Sequence, residues 1–134
     1  MRKNTVYENA IIMAIDLVDS NHDSLIEELN ELTLLSDTAG FEIVDTITQK
    51  KNKIDSATFI GKGKIKSGIN IAEELNATAI IFNDDLSPAQ LKNIQNIAGN
   101  KLKVIDRSGL ILDIFEKHAK TKEAKAQIKL AKLK

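Results

Sequence analysis

The sequence predicts an α/β domain: a four-stranded parallel sheet with helices on both faces, followed by the start of a long linker helix. Three observations carry that prediction. Strand-like and helix-like hydrophobic periods alternate four times along the 134 residues. NAIIMAIDL (9–17) and TAIIF (78–82) are solidly apolar, as strands covered on both faces are. Helix-capping residues stand between the apolar runs.

The first strand, 9–17, leads to a helix that Ser24 opens, in a capping box with Glu27. Leu25, Ile26, Leu29, Leu32 and Leu35 supply its apolar face, and Gly40 ends it as the residue after the C-cap. FEIVDTITQ (41–49) is the second strand, with Phe41, Ile43, Asp45 and Ile47 expected on one face. Residues 50–60 are polar without an apolar period and read as a long, mobile loop. A helix from about Lys62 to Leu75 comes next, and then the third strand, 78–82. Ser87, Pro88, Gln90 and Gly99 supply the N-cap, first position, capping-box partner and terminal glycine of a third helix. LKVID (102–106) is the fourth strand, and SGLILDIFEKHAK (108–120) opens a fourth helix.

Helical composition runs on to Lys134, with a narrow seam of Thr121, Ala124, Ile128 and Ala131 flanked by lysines. Such a seam lacks its partner, so the tail is expected to be helical and either to fray or to pack on a neighbouring molecule. The chain thus divides into an α/β domain, 1–107, and a helix leading into a truncated coiled-coil-like linker, 108–134.

One domain of this length buries a real core. There is no cysteine, which excludes disulfides and thiolate metal sites. The longest apolar run, Ala10 to Ile15, cannot span a bilayer, and the N-terminus lacks the apolar stretch of a signal peptide. A cytoplasmic protein without membrane contact is expected. Net charge is zero but unevenly spread: residues 1–49 carry −8, 50–66 carry +5, 67–115 carry −2 and 116–134 carry +5. Two basic segments inside a neutral total suit a surface that meets a polyanion, against the plainer reading of solvated surface lysines.

The segment TFIGKGKIKSG (58–68) raises the question of a phosphate-binding loop. The full motif needs four residues between its glycines and a Ser or Thr after the lysine; Gly61-Lys62 is followed by Gly63, and Gly63-Lys64 by Ile65. The strand ends carry Asp16, Asn83-Asp84-Asp85 and Asp106, so a magnesium site from Asp16 and Asp84 competes with helix caps and lysine partners. The caps are preferred, because acids near helix starts are commonplace. His22 and His118 stand near no Ser or Cys in a nucleophile motif, and 4% aromatic residues argue against base-stacking platforms. Nothing in the residues points to autonomous catalysis.

Three strings decide more: TITQKKNKIDSATFIGKGKI, IIFNDDLSPAQLKNI and KVIDRSGLILDIFEKHAKTKEAKAQIKLAKLK. Together they resemble the N-terminal region of the HflX family of ribosome-associated GTPases. The sequence departs from the family where prolines are usual, at Ile54 and Ser56, and in the tail at Ala126 and Lys129. The resemblance, with the crossover rule, implies strand order 2-1-3-4. It implies an N-terminal domain of a GTP-binding protein that associates with the large ribosomal subunit and helps dissociate stalled ribosomes. Its partners would be rRNA, the missing GTPase domain and the second linker helix, with tail-mediated self-association in crystals. No cofactor is expected in this chain, with GTP and Mg2+ belonging to the missing domain. No catalytic residue is expected either, since neither G-x-x-x-x-G-K-[ST] nor N-K-x-D occurs. The expected nucleic-acid contacts are Lys50, Lys51, Lys53, Lys62, Lys64, Lys66, Lys120, Lys122 and Lys125, with Gly61 and Gly63 making a tight backbone entry into the helix. The alternatives are an ATP-type nucleotide site at the strand ends, or a docking module for the GTPase domain without RNA contact.

Overall fold

The computed structural model describes residues 6–118. Within it run β1 (Glu8–Leu17), α1 (His22–Thr38), β2 (Phe41–Lys51), α2 (Lys62–Glu74), β3 (Ala79–Phe82), α3 (Pro88–Ala98) and β4 (Lys103–Ile105). A last helix, α4, covers residues 107–118. The four strands form one parallel sheet in the order β2-β1-β3-β4. The expected fold class and strand order therefore hold. The tail beyond 118, with Lys120, Lys122, Lys125 and the seam, lies outside the described residues.

The two-sided burial of β1 comes from its alternation. Ile11, Met13 and Ile15 pack with Ile65 and Ile69 of α2 and Ile94 of α3. Ala10 and Ile12 pack with Leu32 of α1 and Leu110 of α4. So α2 and α3 cover one face and α1 and α4 the other. The order accounts for this: the chain steps outward from β1 to β2, then back across to β3 and β4, and crossovers of one hand must swap faces when the direction reverses. On its own face α2 lies very close to the sheet. A Cβ added at Gly68 would come within 2.7 Å of Met13 Sδ, so a larger residue there must displace the buried methionine side chain.

The first departure from the sequence reading is in β2. Ala10 pairs with Ile43, but Ile11 pairs with Asp45, so Val44 is a bulge. The extra residue switches faces. Phe41 and Ile43 join the α1/α4 cluster, while Val44 and Ile47 join the α2/α3 cluster. Phe41, Ile43, Asp45 and Ile47 therefore do not share one face. Simple alternation cannot foresee this, because the bulge is set by pairing with β1.

The second is the start of α1. Its cap is Asn21 rather than Ser24: the Asn21 carboxamide accepts from the amides of Asp23 at 2.9 Å and Ser24 at 3.4 Å. Asn caps as well as Ser, and the earlier cap adds most of a turn. Ile26, expected on the apolar face, is 45% exposed. Elsewhere the signals hold. Gly40 follows α1 at φ +94°, and Ser87, Pro88 and Gln90 open α3 with both halves of the capping box made.

Candidate nucleic-acid interface

The basic segment sits at the carboxyl edge of β2 and runs into α2. The strand continues further than expected, to Lys51, so Lys50 and Lys51 ride on sheet rather than loop, with Lys50 opposite Asp16 of β1. Beyond the strand the chain forms a built turn, a correction to the reading of 50–60 as a mobile loop. Asp55 and Phe59 exchange backbone hydrogen bonds of 3.0 and 2.9 Å. Inside the turn, Asp55 Oδ1 accepts from the amides of Ala57 at 2.8 Å and Thr58 at 2.9 Å. Those hydrogen bonds, Thr58's first, hold the Asp55 carboxyl below its ordinary value.

Phe59 adopts φ +64°, a costly conformation for a bulky residue. Tertiary contacts hold it there. Its ring is buried and meets Phe82 edge-to-face, centroids 6.5 Å apart. From the neighbouring helix, Gln90 Nε2 donates to Asp55 O at 2.9 Å and Asn93 Nδ2 to Ala57 O at 3.0 Å. Gln90 thus serves twice, as the capping-box residue of α3 and as the anchor of the turn. Local sequence could suggest only its first role.

Gly61 is the N-cap of α2, with no side-chain cap, and its amide donates to Gln49 Oε1 at 2.9 Å. A Cβ there would stand 3.3 Å from the Gln49 carboxamide, so the backbone at Gly61 passes close to that side chain. Gly63 does not share that reason: a Cβ there meets nothing within 4 Å and its φ is ordinary. Lys62, Lys64 and Lys66 occupy the first two turns of α2, with no acid in the first. Of the six lysines from Lys50 to Lys66, none takes part in an ion pair among the described residues. The one acid of the segment, Asp55, is engaged in its own turn. The edge therefore carries a net positive charge with no ion pair among the described residues, although the Lys51 charge also helps to lower the Asp55 carboxyl.

The carboxyl ends of β1 and β3, where the strand order reverses, open a second crevice of about 270 Å³. Its polar lining is Ser20, Asn21, Ser24, Glu28, Asn83 and Asp84. Burial, then the charge of Glu28, raises the Asp84 carboxyl above its ordinary value. The buried Asn83 carboxamide donates to Glu28 Oε1 at 2.9 Å and accepts from Arg107 Nη1 at 3.0 Å, while Arg107 also pairs with Glu31. Other strand-end acids cap α4: Asp106 accepts from Gly109 N at 2.8 Å and Asp85 from Ser108 N at 2.9 Å. Asp16 stands 3.5 Å from His22 Nδ1. No group of three possible metal ligands occurs among the described residues. The crevice carries two carboxylates, Glu28 and Asp84, and no glycine stands between Leu17 and Asn21. No described helix is long and apolar enough to cross a membrane.

Comparison with known proteins agrees with this architecture. Residues 26–116 match the family model described as GTP-binding GTPase N-terminal. The chain is 44% identical over 127 residues to the GTPase HflX of Caldanaerobacter subterraneus subsp. tengcongensis, covering 95% of this chain and 28% of that protein. It is 42% identical over 117 residues to the GTPase HflX of Alkalihalophilus pseudofirmus, covering 87% and 27%. Among solved structures, a GTP-binding protein from the archaeon Sulfolobus solfataricus in complex with GDP superposes with a TM-score of 0.63 at 25% identity. That match covers 94% of this chain and 36% of the archaeal one. The chain thus spans about a quarter of the length of these curated relatives.

Proposed function

The chain belongs to the GTP-binding GTPase N-terminal family, as an HflX-type N-terminal domain, and we propose that it binds the large ribosomal subunit by meeting rRNA phosphates with its lysine segment. The observation that carries this reading is the set of six lysines, Lys50 to Lys66, without ion pairs among the described residues, on the end of β2, the start of α2 and the turn between them, which side chains of α3 hold. Surface lysines that serve only solubility need no rigid mount, whereas phosphate contacts fix register and gain from one. In the whole protein this contact would hold a GTPase domain, with its GTP and Mg2+, against the subunit during release of stalled ribosomes in the cytoplasm. This chain alone does not hydrolyse GTP, since it has neither the phosphate loop nor the residue that places magnesium.

A second reading, docking onto the GTPase domain without RNA contact, is favoured by α4, where Leu112 is 60% and Phe115 65% exposed. Sedimentation with purified large subunits at two salt concentrations separates the two. Phosphate contacts release counterions, so log affinity should fall linearly with log salt, by about 0.7 to 0.9 per contact. Changing Lys62, Lys64 and Lys66 together to Ala should weaken binding and reduce that slope by about two to three. Binding that ignores salt, or a chain that binds only when the remainder of the protein is supplied, refutes the phosphate reading.

A further inference from the structure

We propose that the recess between the 55–58 turn and the C-terminal half of α3 is a base-reading pocket, taking a nucleobase splayed out of RNA whose edge carries an exocyclic amine. It rests on the reading that the lysine segment meets RNA phosphate, and adds what lies beside the phosphate.

The recess holds about 360 Å³, within the range of small-ligand sites, and Lys62 lines it together with Asp55, Ala57, Asn93, Asn96 and Ile97. Its hydrogen-bonding groups are only partly used. Asp55 Oδ1 serves the turn, but Oδ2 accepts nothing among the described residues. Asn93 donates to Ala57 O and leaves its own carbonyl free among the described residues. The Asn96 side chain makes no hydrogen bond among them. Ala57 and the half-buried Ile97 supply apolar wall.

This set does not suit a phosphate, because the Asp55 carboxylate repels one. It suits an uncharged planar group with amine donors on its edge, next to a negative charge that Lys62 can hold. A nucleotide unit has that layout. Carboxylates accept from the cytosine amine and carboxamides pair with the adenine edge, and proteins that read RNA sequence mostly do so on unstacked bases. With no aromatic residue lining the recess, the edge rather than the face of the base supplies the recognition. Adenine, cytosine and guanine carry the amine; uracil does not.

The test is an amide NMR titration of the chain at low salt with hexamers of A, C and U and with an abasic sugar-phosphate hexamer. The abasic and U oligomers should bind and shift only the lysine segment. A or C hexamers should bind about fivefold tighter or more, the low end expected for a base-edge contact, and also shift Ala57, Asn93, Asn96 and Ile97. Asn96→Leu, in α3, should abolish that gain and keep the abasic affinity. Equal affinity for all four oligomers, or a gain that survives in Asn96→Leu, overturns the pocket and leaves the phosphate reading standing. If no oligomer binds, the phosphate reading has failed first, and the pocket with it.

Discussion

Replacing Gln90 with Ala should loosen the turn between the lysines of β2 and those of α2 as well as the helix it caps. The side chain is 9% exposed and makes two hydrogen bonds of 2.9 Å, accepting from Ser87 N and donating to Asp55 O. Each contributes about 1 kcal/mol net, and each partner left unsatisfied in a partly buried site adds a desolvation cost of about 1 kcal/mol or more. The expected loss is therefore about 3 kcal/mol, or roughly 10 °C in melting temperature for a domain of this size. Ser87→Ala is the control, because it removes the helix cap alone, at about 1 kcal/mol, and leaves the bond to Asp55 intact. Urea unfolding of both variants gives the two losses, and hydrogen exchange at Phe59 and Asp55 reports whether the bridge between them opens. The reasoning fails if Gln90→Ala costs no more than Ser87→Ala, or if both amides keep full protection in Gln90→Ala.

Asp84→Asn should raise the melting temperature at pH 7. The folded pKa of Asp84 lies above its ordinary 3.8, so its favourable contribution exists below that value and is lost as pH rises through the folded one. The charged form is then a cost at neutral pH, and the gain from Asn should shrink towards pH 3.8; a lower melting temperature at pH 7 contradicts this account. Gly63→Ala should stabilise the domain by about 0.5 kcal/mol in urea unfolding, since Ala is the better helix former and the position is open; a loss would mean that something unseen needs the space.

Much of this protein was legible locally. Two apolar runs, capping residues and glycine stops specify elements because burial on both faces, a cap hydrogen bond and a left-handed terminus each depend on a few neighbouring residues. Ser87, Pro88 and Gln90 act within one turn of chain, so the start of α3 could be read to the residue. The charge imbalance of 50–66 was equally plain, since charge needs no geometry to be counted. The bulge at Val44 was not, because an extra residue in β2 acquires meaning only opposite Ala10 and Ile11. Nor was the hydrogen bonding of the 52–61 turn to α3. Its polar composition lacks any period, and what holds it comes from Gln90 and Asn93, 35 and 36 residues downstream, and from Phe82 beneath. Whether the lysines were spoken for was also a tertiary matter, because an ion pair depends on which acids the fold brings close. The acids at the strand ends went to helix caps and into the crevice with Glu28, leaving the six lysines without an ion pair among the described residues. Local hydrogen bonds and hydrophobic period are written in adjacent residues; the partner of a charge or of a turn is decided by whatever folding sets beside it.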